Sequence, residues 1–131
     1  MSNIRGLAEV VLMVRDLQAS VAFYRDVLGL EVISPEGFKG PSFLQGGGGR
    51  AYVANMIVLA PAKADTPEFA RPQSLHHIGL EIEPGSFDDE VARLQNLGLE
   101  VRFGKHPFLP SRTCYVTDPD GNEVELIAPD S

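Results

Sequence analysis

The chain carries two copies of one pattern, and a duplicated pattern narrows the folds open to a chain more than composition does. Setting "LAEVVLMV" (7–14) over "LHHIGLEI" (75–82) aligns leucines at the first and sixth places and aliphatic residues at the fourth and eighth, at an offset of 68 residues. At the same offset "ANMIVLAP" (54–61) matches "NEVELIAP" (122–129) through a shared Ala-Pro ending. "LGLEV" occurs twice between these pairs, at 28–32 and 97–101. Three matches in one order describe a duplicated unit: a first module over 5–60, a polar, proline-spaced linker over 61–73, and a second module over 74–129.

Each module reads as strand, helix, then three short strands. In "VRDLQASVAFYRDVLGLEV", Leu17, Val21, Tyr24, Val27 and Leu28 recur at helical spacing, with Asp16 as N-cap and Gly29 as the stop. In "SFDDEVARLQNLG", Ser86 and Asp89 form an acidic capping pair ahead of Val91, Leu94 and Leu97, and Gly98 ends the helix. β-rich segments follow at 30–34, 41–46 and 50–59, and again at 99–104, 111–117 and 123–128. The Gly46–Gly49 run lacks the Lys-Ser/Thr and helix of a phosphate loop, so it is expected to form a hairpin tip.

Composition removes several function classes. At 131 residues and 44% hydrophobic content the chain can bury a core. A net charge of −7 with only 11 scattered basic residues argues against a nucleic-acid partner. No apolar run approaches the roughly 20 residues of a membrane span, and "MSNIRGLAEV" lacks the apolar core of a secretory signal, so a cytoplasmic location is expected. The single cysteine, Cys114, excludes an internal disulfide and a cysteine-rich zinc site, and reads as a small buried apolar residue.

The adjacent histidines in "LHHIGLEI" raise the question of chemistry. Strand side chains alternate between faces, so His77 shares one face with Gly79 and Glu81, while His76 falls with Ile78, Leu80 and Ile82 on the helix-packing face. The counterpart of His77 in the first module is Glu9, a carboxylate in an otherwise apolar strand that needs a partner. In the last strand Glu125 shares parity with Glu123 and Ile127, and its counterpart is Ile57. If the sheets curve around a shared cavity, Glu9, His77 and Glu125 converge as one imidazole and two carboxylates. Such a set binds a divalent cation, with Fe(II) or Mn(II) favoured and Zn(II), Co(II) or Ni(II) as alternatives. The competing expectation is that each of the three is a surface or ion-paired residue.

The motifs "VVLMVRDLQASVAFYRDVLGLEV", "LHHIGLEI" and "YVTDPDGNEVELI" resemble, in order and over nearly the whole chain, the vicinal oxygen chelate superfamily, which groups glyoxalases, bleomycin-resistance proteins and extradiol dioxygenases. The resemblance implies an α+β fold of two tandem βαβββ modules forming a cupped mixed β-sheet, and assembly as a homodimer. It places metal positions on Glu9, Ile57, His77 and Glu125. Glu9 stands where histidine is common, and isoleucine cannot ligate, which leaves the three-ligand set Glu9, His77 and Glu125.

The resemblance extends toward extradiol dioxygenases through "GKH" (104–106) followed by "CYVTDPDGNEVE", which implies catalytic roles for His106 and Tyr115. Arg50 and Arg112 are the basic residues expected to hold an anionic substrate group or to pair with Glu123, and Phe38, Phe43 and Phe108 are expected to wall a pocket for an aromatic ligand. The expected function is a metal-dependent enzyme chelating vicinal oxygens of a small organic substrate, dioxygenase-type first and a glyoxalase-like lyase or isomerase second. The reading from another class is a protein that sequesters an aromatic antibiotic without reaction.

Overall fold

A computed structural model describes residues 7–50, 53–62 and 75–130, with backbone alone at 49, 50, 53 and 54. Most of the expected linker therefore lies outside the described residues. The chain divides into two compact units, Met1–Thr66 and Pro67–Ser131.

Unit 1 contains β1 (Glu9–Val14), α1 (Leu17–Ala22), β2 (Glu31–Val32), β3 (Ser42–Arg50) and β4 (Val53–Pro61). Its sheet runs in the order β1-β4-β3-β2, with β1 parallel to β4 and the other pairs antiparallel. Unit 2 repeats this with β5 (His77–Glu81), α2 (Phe87–Asn96), β6 (Arg102–Gly104), β7 (Ser111–Thr117) and β8 (Glu123–Pro129), in the order β5-β8-β7-β6. Each unit thus has the βαβββ order and the mixed four-stranded sheet expected of it.

The helices form where spacing and caps place them. Asp16 is extended, and its carboxylate accepts from the Ala19 N–H at 3.1 Å, satisfying one of the donors a helix start leaves free. After Ala22 the helix widens into a π turn over Phe23–Val27, closed by the Leu28 N–H donating to the Phe23 carbonyl. Gly29 and Gly98 follow the two helices at φ 80° and 87°, a left-handed conformation that suits glycine. Ser86 departs from expectation. Its side chain makes no cap bond, because Pro84–Ser86 forms a 3-10 turn that leads directly into α2.

Alternation along the strands gives each sheet two distinct faces. In unit 1, Leu12, Val14, Leu44, Ile57 and Leu59 share a buried face with Phe23 and Tyr24 of the helical segment. In unit 2, Ile78, Cys114, Val116, Val124, Leu126 and Ala128 share the buried face, with Phe87 and Leu94 of α2 also buried. Burying each large side chain contributes about 1.5–3 kcal/mol, so these two apolar layers carry the stability that positions the other faces.

Two expectations change with the ladders. Gly46–Gly49 is not a tip: it lies within β3, where the register to β4 shifts between Gln45 and Gly47 and again before Arg50. The side-chain amides of Asn55, through Nδ2, and Gln45, through Nε2, donate to the Gly48 and Gly47 carbonyls, supplying partners that this irregular stretch of ladder lacks. The second change concerns the repeat itself. Glu9 pairs with Met56 while His77 pairs with Glu123, so β4 and β8 correspond at an offset of 67, one less than β1 and β5. The counterpart of Glu125 is therefore Val58, paired with Val11 as Glu125 is with Gly79, and Ile57 faces the helix side. Valine, like isoleucine, offers no ligand atom.

Cys114 is fully buried on the α2 side of β7, and burial, followed by the charges of Glu90 and Glu125, pushes its thiol up to about 11. At pH 8 roughly one thiol in a thousand would be ionised. The native protein should therefore resist a disulfide-exchange reagent at pH 8 and react fully in denaturant; equal rates in both states would contradict the burial described for this strand.

Candidate functional site

The face of the unit 2 sheet away from α2 is polar where its other face is apolar. The register places His77, Gly79 and Glu81 of β5 alongside Glu123, Glu125 and Ile127 of β8, Thr113, Tyr115 and Thr117 of β7, and Arg102 and Gly104 of β6. The loop joining β7 to β8 fixes that register. The buried Asp118 carboxylate accepts from the backbone N–H groups of Asp120 and Asn122 at 2.9 and 2.8 Å and from the Asn122 amide at 3.0 Å. Gly121 supplies the left-handed residue at φ 87°, and the Asp118 N–H donates to the Asn122 carbonyl.

Glu125 is the centre of this face, with only 4% of its side chain exposed. Its Oε1 lies 3.1 Å from His77 Nε2, and its Oε2 accepts from the Tyr115 hydroxyl at 2.9 Å. The His77 and Tyr115 rings meet edge to face, 5.8 Å between centroids. Beside them, Arg102 Nη2 is 2.9 Å from Glu123 Oε1, but not along an N–H direction, so the pairing is one of charge more than of a directed hydrogen bond. Thr113 Oγ1 is buried and has no hydrogen-bond partner among the described residues. Burial, then the bond to Glu125, raises the Tyr115 hydroxyl above its ordinary range, so at neutral pH it is a phenol that donates.

Glycine makes room for this arrangement at two positions. A Cβ on Gly104 would lie 2.7 Å from Cε2 of Tyr115, so a side chain there would push the ring off Glu125. A Cβ on Gly79 would approach Ile127 Cδ1 at 3.2 Å and the Glu125 carboxylate at 3.7 Å. Of the residues gathered on this face, the sequence singles out Glu125, His77 and Tyr115, but not Arg102. The signal for Arg102 was its place opposite Tyr115 in the β6–β7 ladder, which depends on a register invisible until the strands are paired.

The other expected residues fall elsewhere. Arg112 is three residues from Tyr115 and so lies on the opposite face, where it is exposed, pairs with Asp88 at 2.8 Å and covers the Phe87 ring at 4.3 Å. It neither joins Glu125 nor pairs with Glu123. His106 is half-buried in the loop after β6; its Nδ1 accepts from the Leu109 and Phe108 N–H groups at 3.0 and 3.3 Å, and its ring packs against Phe108. That use of Nδ1 holds the loop. Phe108 is 84% exposed.

In unit 1, Glu9 is exposed at the start of β1, on the face it shares with Val11, Met13, Met56, Val58 and Phe43. Phe38 is exposed and meets Phe43 edge to face, 6.2 Å between centroids. The side chain of Arg50 lies outside the described residues. His76 is not on the helix-packing face. The strand begins at His77, so alternation does not govern the preceding residue, and His76 is exposed with its Nδ1 2.8 Å from His77 Nδ1.

The donors of this face fit a divalent cation in part. Two ligands about 2.1 Å from one ion and at right angles to it stand close to 3 Å apart, which is the spacing of His77 Nε2 and Glu125 Oε1. Among the described residues no group of three His, Cys, Asp or Glu side chains is gathered as a complete site.

Residues 6–126 match the family model described as the Glyoxalase/Bleomycin resistance protein/Dioxygenase superfamily. A metallothiol transferase, FosB, of Staphylococcus saprophyticus is 25% identical over 124 residues, covering 94% of this chain and 76% of the relative. Lactoylglutathione lyase from Agrobacterium tumefaciens has a similar structure, with a TM-score of 0.66 at 26% identity, covering 96% of this chain and 95% of that one. A variant of the fosfomycin resistance protein FosX from Listeria monocytogenes, complexed with Mn(II) and 1S,2S-dihydroxypropylphosphonic acid, shares the fold, with a TM-score of 0.69 at 23% identity and coverage of 97% and 92%. No helix among the described residues is long and apolar enough to cross a membrane.

Replacing Tyr115 with Phe removes the hydroxyl that satisfies Glu125 Oε2. This should lower stability by about 1–3 kcal/mol, the usual cost of leaving a buried acceptor without its donor. Urea unfolding at pH 7 measures it; an unchanged midpoint would mean that water replaces the phenol and that Tyr115 does not hold Glu125.

Proposed function

The chain belongs to the Glyoxalase/Bleomycin resistance protein/Dioxygenase superfamily, and on that premise we propose that it is a metal-dependent enzyme acting on a small organic substrate that presents two adjacent oxygens. The observation that carries this reading is the convergence of His77 Nε2 and Glu125 Oε1 at 3.1 Å on a polar sheet face. His77 and Glu125 are the proposed ligands of a divalent ion, Mn(II) or Fe(II) by the hardness of the donors. Bound there, the ion would supply Lewis-acid polarisation of the substrate oxygens. The third position that the family resemblance implies falls on Glu9, whose place at the start of β1 repeats that of His77 at the start of β5.

The chain's own groups then have distinct tasks. Tyr115, kept as a phenol, orients Glu125 through Oε2 and leaves Oε1 for the ion. Arg102 and Thr113 lie on the same face and are the donors proposed to meet an anionic or oxygen-bearing part of the substrate. We assign the chemistry to proton transfer or nucleophilic addition of the kind named for the lyase and thiol-transferase relatives. Oxygenation is the weaker reading because the relatives described above are a metallothiol transferase, a fosfomycin resistance protein and a lyase. Homodimerisation belongs to the same proposal and is read by sedimentation.

A second reading, antibiotic sequestration without turnover, is favoured by two features: Glu9 stands where the superfamily commonly has histidine, and the fourth strand offers no ligand, with isoleucine at 57 and valine at 58. Metal binding separates the two. Titrated with Mn(II) and followed by electron paramagnetic resonance, the protein should bind about one ion per chain, with affinity at least about 100-fold weaker in His77→Ala and Glu125→Gln. The Mn(II)-loaded protein should then turn over fosfomycin with a thiol, or a hemithioacetal, and not consume oxygen with a catechol. A protein indifferent to Mn(II), with both variants unchanged, would overturn the enzyme reading.

A further inference from the structure

The two adjacent imidazoles are joined nitrogen to nitrogen, a contact that the metal assignment does not use. His76 Nδ1 and His77 Nδ1 stand 2.8 Å apart, and the rings meet edge to face at 5.0 Å and 74°. A hydrogen bond between two ring nitrogens needs one N–H and one lone pair, so a single proton lies between them. The far side of His77 decides which nitrogen owns it. His77 Nε2 is 3.1 Å from Glu125 Oε1, and an ionised carboxylate only accepts. With no cation present and both rings neutral, Nε2 of His77 carries its hydrogen, Nδ1 of His77 accepts, and Nδ1 of His76 donates.

A ligating Nε2 must instead offer its lone pair, and a neutral His77 then carries its proton on Nδ1. That N–H needs an acceptor. The acceptor in contact is His76 Nδ1, which serves once the shared proton has crossed to His77. The balance closes without a change of charge: His77 releases its Nε2 proton to water, the shared proton moves from His76 Nδ1 to His77 Nδ1, and the exposed His76 gains a proton from water at Nε2. Both rings begin and end neutral.

We propose that His76 is a positioning residue for His77, donating through Nδ1 in the metal-free protein and accepting at the same atom when His77 Nε2 engages a divalent cation. The His77 ring is thereby held toward Glu125 in both states. This inference rests on the proposal that His77 and Glu125 bind metal. Partners that orient a ligating histidine through its other nitrogen are worth about 10–100-fold in metal affinity. Because His76 is exposed and lies ahead of β5, its side chain is not needed for the core.

Zn(II), which is diamagnetic, is the probe. Long-range nitrogen–proton NMR of histidine-labelled protein should find His77 as the Nε2–H form without metal and as the Nδ1–H form with Zn(II). His76→Ala should weaken Zn(II) binding about 10–100-fold while leaving the thermal midpoint of the metal-free protein unchanged. His76→Asn, whose Oδ1 can take the place of the accepting Nδ1, should return affinity to within about threefold of the wild type. Wild-type affinity in His76→Ala, while His77→Ala loses binding, would overturn the positioning role and leave the metal site standing. Equal affinity in the wild type and His77→Ala would overturn the metal site, and this inference with it.

Discussion

A buried carboxylate must find partners for both of its oxygens, and that requirement at Glu125 organises the second unit. An ionised group at 4% exposure is costly without compensation, and here one oxygen faces an imidazole and the other a phenol. The partners in turn constrain the strands. His77 must begin β5 beside β8, Tyr115 must stand opposite Glu125 in β7, and residue 104 must lack a side chain so that the Tyr115 ring can lie flat over it. The Asp118 loop supports this pairing by fixing the turn between β7 and β8 through three hydrogen bonds to one carboxylate. Side chains carried on paired strands are held more precisely than side chains on loops, so the polar groups of this face keep a fixed spacing.

The duplicated unit shows how the same scaffold carries two kinds of face. The helix-side residues of both units are apolar and buried, so the packing that makes each unit stable was retained in both. The opposite faces differ: Glu9, Val11, Met13, Met56, Val58 and Phe43 in the first unit correspond by ladder position to His77, Gly79, Glu81, Glu123, Glu125 and Tyr115 in the second. Only Glu9 retains a polar group in that first set. Packing depends on one face, which leaves the other free to carry polar groups in one copy and mostly apolar ones in its counterpart.

Much of this was legible in the amino-acid sequence because both helical and strand periodicities are strong. Asp16, Gly29 and Gly98 marked helix ends by their own chemistry, and parity alone separated His77 and Glu125 from the core. Parity also bore on Arg112, since three residues from Tyr115 is an odd number and places the two on opposite faces. What could not be read was pairing between strands. The Ala-Pro identity suggested Ile57 as the counterpart of Glu125, whereas the ladder selects Val58, because the strands of each unit are joined by connections of unequal length. Arg102 gained its place from the β6–β7 register, and His76 escaped the alternation rule by preceding the strand.

In the proposed site His77 Nε2 and Glu125 Oε1 are two ligands of one divalent ion. Crystals grown with Mn(II) and measured on both sides of the manganese absorption edge test it directly. An anomalous peak is expected within about 2.0–2.3 Å of both atoms, with the direct contact between them replaced by bonds to the ion. A peak elsewhere on the chain, or His77 and Glu125 still in contact with no peak beside them at saturating Mn(II), would contradict it.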